Sequence, residues 1–151
     1  MTTEVSWLFP KRPLDTEEIK SIEQQLGIIF PKDYVDCVKQ NNGGQPDPDT
    51  FYVGDREAVF SSLIPLNQEE SRNVLTVKRK LAERLPEGVV PFADDPFGNY
   101  LCFDYRRNQE PKIGIWDHER GVSDKEKALT LICDTFTELV GMLTKSDSEH
   151  M

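Results

Sequence analysis

The chain has little of what most enzyme and membrane readings need. Its 151 residues include three cysteines and two histidines. Cys37, Cys102 and Cys133 are odd in number, far apart and form no C-x-x-C pair. That speaks against a disulfide framework or a zinc ribbon, and for free thiols in a reducing cytosol. No apolar run approaches the roughly 20 residues that cross a bilayer. The N-terminus lacks a basic stretch followed by an apolar one, so no signal peptide is expected and the reading is cytoplasmic. Positive charge is scarce: 18 Lys and Arg stand against 27 Asp and Glu, a net charge of −9. A surface of that sign opposes nucleic acid, whose phosphates require a basic patch, and it opposes anionic membranes. The Rossmann glycine fingerprint, the P-loop, H-E-x-x-H and G-x-S-x-G are all missing.

The titratable residues that remain do not assemble a reaction centre by spacing. His150 is in the polar tail. His118 lies between Asp117 and Glu119, and three consecutive polar residues on a strand or turn point different ways. Zinc wants several spaced ligands, so a solvated loop is expected there and no metal. Cys37 falls on an apolar helix face and Cys102 in an aromatic strand, both expected in the core. Asp94 and Asp95 are adjacent carboxylates that face opposite sides of an extended chain. Asp95 before Pro96 starts a turn; one of the two is read as structural and the other stays open. No catalytic residue and no cofactor is assigned. A small hydrolase built on His118 and a carboxylate is the enzymatic alternative, and loss of turnover in His118→Ala is its test.

What is present is a globular composition, 37% apolar and 30% charged. The length suits one domain over residues 1–151, with a frayed tail over 144–151. Asp15 with Glu18 makes a capping box that opens a first helix, flanked by Leu14 and Ile19, and Gly27 ends it. Pro31 suits the first turn of a second helix that stops at residues 41–44. Residues 45–50, with two prolines and two aspartates, read as a loop. Residues 51–53 and 59–66 read as strands. Asn67 with Glu70 caps a third helix whose apolar positions are Val74, Leu81 and Leu85. Residues 89–93, 100–104 and 112–116 read as further strands, the last two paired across 106–110. Thr135 with Glu138 opens a final helix. Trp7 is expected to pack back onto the domain and Trp116 to lie in the core. Clustered strands with helices at either end predict an α+β fold, a mostly antiparallel central sheet of about five or six strands with helices packed against it.

The charge is uneven. Residues 40–55 carry Asp47, Asp49 and Asp55 with no Lys or Arg, and residues 86–105 carry Glu87, Asp94, Asp95 and Asp104 with none. Arg72, Lys78, Arg79, Lys80 and Arg84 gather in one segment. The acidic windows serve solubility, or they face a basic partner.

Two stretches carry a wider pattern. Ile22-Glu23, Leu26-Gly27, Phe30-Pro31, Tyr34 and Asn42-Gly43-Gly44 come first. Pro91-Phe92-Ala93, Asp95, Gly98-Asn99, Cys102-Phe103-Asp104, Ile115-Trp116, His118-Glu119 and Asp134-Thr135-Phe136 follow in order. This ordered set resembles the SUKH superfamily, a group dominated by bacterial immunity proteins that includes a yeast regulator of cell-wall synthesis. The resemblance implies a SUKH-like domain that binds and does not catalyse. It implies an antitoxin whose partner is a cognate protein toxin, a ribonuclease being the expected activity, basic in its toxic domain and encoded by a neighbouring gene. It carries over no catalytic residue. The residues expected to hold that partner are Asp47, Asp49, Asp55, Glu57, Asp94, Asp95, Asp104, Asp117 and Glu119, with Tyr52, Phe97 and Tyr105 as aromatic anchors. The chain is expected to be a monomer or weak homodimer. A regulatory or scaffold adaptor for host proteins, with no toxin encoded beside it, is the alternative.

Overall fold

The computed structural model describes residues 4–119 and 128–145. Asp15 caps the first helix, α1 (Thr16–Leu26), with its side chain accepting the Glu18 N–H, and Glu18 returns the bond to the Asp15 backbone. Gly27 closes it in the left-handed conformation, φ 73°. Pro31 stands at the N-cap of α2 (Lys32–Asn41), one position before the first turn where the sequence placed it. Tyr34 and Val38 are buried along one side of α2, while Cys37 is half-buried.

The main sheet has five antiparallel strands in the order β5 (Ser62–Leu63), β6 (Val89–Asp94), β7 (Tyr100–Asp104), β8 (Lys112–Trp116) and β9 (Leu129–Cys133). Both of its faces are covered, so β6 to β8 are buried almost continuously and do not alternate. On one face Tyr34 of α2 meets Phe92, Phe103 and Phe136 at ring separations of 5.9, 5.1 and 5.6 Å, and Phe92 stacks on Phe103 at 4.2 Å. Phe136 opens the last helix, α4 (Phe136–Gly141), where Thr135 accepts the Glu138 N–H. The other face carries α3 (Val74–Lys80), which packs on β6, and the Arg84 guanidinium lies over Trp116 at 5.7 Å. One apolar core runs through both layers from Leu14 to Leu143.

Several expectations shift for long-range reasons. Residues 45–50 are not a loop: β2 (Gln45–Asp47) pairs with β1 (Ser6–Leu8), which is how Trp7 reaches Phe60 at 5.7 Å. Thr50 begins β3 (Thr50–Val53), paired with β4 (Arg56–Val59). The strand read over 59–66 is divided. Phe60 N–H bonds to Asp49 C=O and Ser61 N–H to Asp94 C=O, so this dipeptide carries the chain from the β3–β4 hairpin to the main sheet. Asn67 does not cap α3; Asn73 does, in a reciprocal box with Thr76. The Asn67 side chain is instead buried and accepts from Asn42 Nδ2 at 2.7 Å. Asn42 also accepts the Leu66 N–H and donates to the Arg12 C=O, so the end of α2 ties down two distant segments. β9 and β1 have no counterpart in the sequence reading. Thr144, placed in the frayed tail, bridges Thr50; residues 146–151, including His150, lie outside the described residues.

Candidate functional site

Antiparallel pairing sorts the acidic residues to two ends of the main sheet. Tyr100 is paired with Trp116 and Asp104 with Lys112. The β6–β7 turn and the segment leaving β8 therefore share one end, and the β7–β8 connection lies at the other.

At the first end, the Asp95 carboxylate organises the turn. Its Oδ1 accepts the Phe97 and Asn99 N–H groups, both at 2.8 Å, and its Oδ2 accepts Asn99 Nδ2 at 3.0 Å. Asn99 is buried and its Oδ1 accepts the His118 N–H at 3.1 Å, locking the turn to the segment after β8. Gly98 has φ 89°, a conformation that side chains with a Cβ rarely adopt, and a Cβ there would stand 3.4 Å from His118 Cδ2. The turn presents Phe97 with 70% of its surface exposed. Asp94 Oδ1 accepts from Ser62 N and Oγ, and Oδ2 pairs with Arg72 at 2.6 Å. Asp117 accepts the Glu119 N–H, and Glu119 is exposed.

The crossing dipeptide Phe60-Ser61 places Asp49 beside this end. Tyr52 and Glu57 face each other across the β3–β4 hairpin, with Asp55 exposed at its tip and Asp47 exposed on β2. The structure thus gathers the 94–99 turn, residues 117–119 and Asp49 at one end, with the hairpin reached through the same crossing.

Asp104 and Tyr105 lie elsewhere. Asp104 is only 8% exposed and is chelated by Arg106, through its N–H at 3.0 Å and its guanidinium at 2.9 and 3.1 Å. Burial raises this carboxyl, but the Arg106 contacts outweigh it and hold it below the usual carboxylate range. The Tyr105 hydroxyl donates to the Ile29 C=O at 2.8 Å, and burial pushes the phenol up. Sequence reasoning missed Arg72, Ser62 and Asn99 as supports of the acidic end. Only the Asp-Pro-x-Gly-Asn turn chemistry signalled the last of these.

The thiols are not set up as nucleophiles. Burial pushes Cys37 and Cys133 up to about 11 and Cys102 further, which opposes the thiolate. Among the described residues no group of three His, Cys, Asp or Glu side chains converges on a metal position, and no helix is long and apolar enough to cross a membrane.

Comparison with known proteins accords with this geometry. The SUKH family model described as SMI1-KNR4 cell-wall matches residues 16–140. The chain belongs to this SUKH family. The match runs from the first residue of α1 into α4, so it takes in the main sheet and the Asp95 turn. The chain is also similar to an SPbeta prophage-derived uncharacterized protein, YokK, of Bacillus subtilis (strain 168). The two are 25% identical over 152 residues, covering 88% of this chain and 76% of the relative.

Proposed function

We propose that this SUKH domain is an immunity protein that neutralises a cognate bacterial toxin by binding it directly. The observation that carries the reading is the Asp95 turn. It holds a large aromatic side chain out in solvent, on a backbone fixed by side-chain hydrogen bonds, in the middle of carboxylates. An exposed aromatic on a preorganised turn is a binding anchor, because little freedom is lost when it enters a partner's pocket. The surrounding charge favours a basic partner. A ribonuclease fits, since it needs cations around its active site to hold phosphates. An acidic inhibitor can fill that groove, and opposite charge raises the encounter rate to roughly 10⁸–10⁹ M⁻¹s⁻¹ at low salt. Resemblance to a family rich in immunity proteins and similarity to a prophage-derived protein support the same reading.

The test is survival of cells expressing the toxic domain encoded beside this gene, with and without this chain, together with co-purification of the two. Rescue by the native chain and its loss in Phe97→Ala are expected. Soluble expression without rescue and without co-purification overturns the reading in favour of an adaptor for host proteins.

A further inference from the structure

A second surface, opposite in charge, lies at the other end of the sheet. A groove of about 800 Å³ runs between the last turns of α1 and the β7–β8 connection. Its apolar part is made by Ile28, Ile29 and Tyr105, and Ile29 is 76% exposed. Lys20 and Arg107 stand on its walls, both exposed, and neither is in an ion pair among the described residues. Arg106 is also in the lining but is committed to Asp104. Glu23 is the one carboxylate among its described lining residues, and its Oε2 accepts the Phe30 N–H at 2.7 Å. On the far side of the same last turn of α1, a second groove of about 510 Å³ carries Lys78 and Arg79, with Glu87 as the carboxylate among its described lining residues. Neither Lys78 nor Arg79 is ion-paired among the described residues either.

We infer that these grooves dock an acidic, apolar segment of a protein partner, on a face separate from the acidic end. The charge complementarity is local and runs against the whole molecule. In a chain of net charge −9, exposed cations outside any ion pair among the described residues, beside an exposed isoleucine, are matched by carboxylates interleaved with apolar side chains. Each would-be contact has a counterpart: apolar side chains over Ile29 and Tyr105, carboxylates on Lys20 and Arg107. A nucleic acid fits less well, because a polyanion meets repulsion from the rest of the molecule at every approach.

The experiment is selection from a displayed library of random dodecapeptides against the full chain. An enriched peptide is then measured by fluorescence anisotropy against the native chain, Phe97→Ala, Lys20→Glu/Arg107→Glu and the milder Lys20→Gln/Arg107→Gln. The expected result is a consensus of Asp or Glu with Leu, Ile or aromatic residues. Its affinity falls at least about tenfold in the charge-reversed chain, as for loss of complementary charge at an interface. It falls less in the Gln variant and is unchanged in Phe97→Ala. Circular dichroism is expected to be unchanged, since both side chains are exposed, and the Gln variant keeps the test readable if the reversed chain misfolds. No enrichment, a neutral or basic consensus, or binding that survives both substitutions overturns the inference. So does tighter binding of a labelled single-stranded oligonucleotide at the same residues, or a concentration-dependent dimer abolished by the same substitutions. Because no toxin takes part, failure here is distinct from failure of the immunity reading.

Discussion

Phe97, Asp104 and Tyr34 serve three different ends: exposed surface, a buried charge and a packed ring. Phe97 contributes exposed surface and little packing, so Phe97→Ala is expected to leave thermal stability unchanged while weakening the proposed toxin complex by about 2 kcal/mol or more, the range of an interface hot spot. Isothermal titration and a melting curve on the same sample separate the two effects. Asp104 is a folding group. Its carboxyl is held below its ordinary value in the folded chain by Arg106, so its contribution is complete above about pH 4, the unfolded value, and is lost as pH falls through the lowered folded value. Urea denaturation at neutral and at acid pH is expected to show a shallower acid loss in Asp104→Asn than in the native chain. Tyr34 has a fully buried hydroxyl with no hydrogen-bond partner among the described residues, and burial drives its phenol far up. An unpaired buried hydroxyl costs about 1–3 kcal/mol. Tyr34→Phe keeps the ring contacts and is expected to raise the melting temperature or leave it unchanged; a clear fall would show that the hydroxyl is bonded.

At the scale of elements, short polar motifs hold the architecture. The Asp95 carboxylate replaces strand pairing at the β6–β7 turn with bonds to Phe97 and Asn99. Asp95→Ala is expected to lower stability by about 1–2 kcal/mol through loss of those bonds, and, on the proposed immunity function, to weaken toxin binding because Phe97 is no longer held. The Asn42 side chain joins α2 to the segments holding Arg12, Leu66 and Asn67. Asn42→Ala leaves the Leu66 N–H and Asn67 Oδ1 buried and unpaired, with an expected loss of about 2–4 kcal/mol by denaturant titration. Caps at Asp15 and Thr135 were legible because the bonded N–H sits within one turn. The start of α3 was misplaced because two Asn residues carry the same local chemistry. Burial against Asn42, a contact made from 25 positions away, decides that Asn67 is not the cap.

Across the whole molecule, charge is arranged as two opposed ends of one sheet. The acidic end gathers residues from the 94–99 turn, the segment after β8 and the region of the β3–β4 hairpin; the other end carries Lys20, Arg107, Lys78 and Arg79, none of them in an ion pair among the described residues. Asp55→Lys with Glu119→Lys, both exposed in the native chain, is expected to slow association with the proposed toxin and flatten its dependence on ionic strength, with little change in dissociation. Stopped-flow measurement across a salt series checks this. A rate and salt slope equal to those of the native chain would show that the acidic end does not steer the encounter.

The sequence by itself determined what short-range chemistry can specify. The α+β class, the capping of α1 and α4, the Pro96–Asn99 turn, the buried position of Trp116, and the resemblance to a SUKH pattern are all legible there. The structural features rest on hydrogen bonds within a turn or on apolar patterning, and the SUKH pattern rests on the resemblance of an ordered set of short motifs. Only the tertiary structure decided which acidic residues face outward. Asp94, Asp95 and Asp104 share one sequence window. Their different roles come from Arg72 and Ser62, from the turn's own amides and from Arg106 under a covered sheet. The strands β1 and β9 likewise become strands because a distant edge offers its N–H and C=O groups to them. A charge or a strand edge carries no local mark of the partner that will meet it, and here those partners arrive from far along the chain.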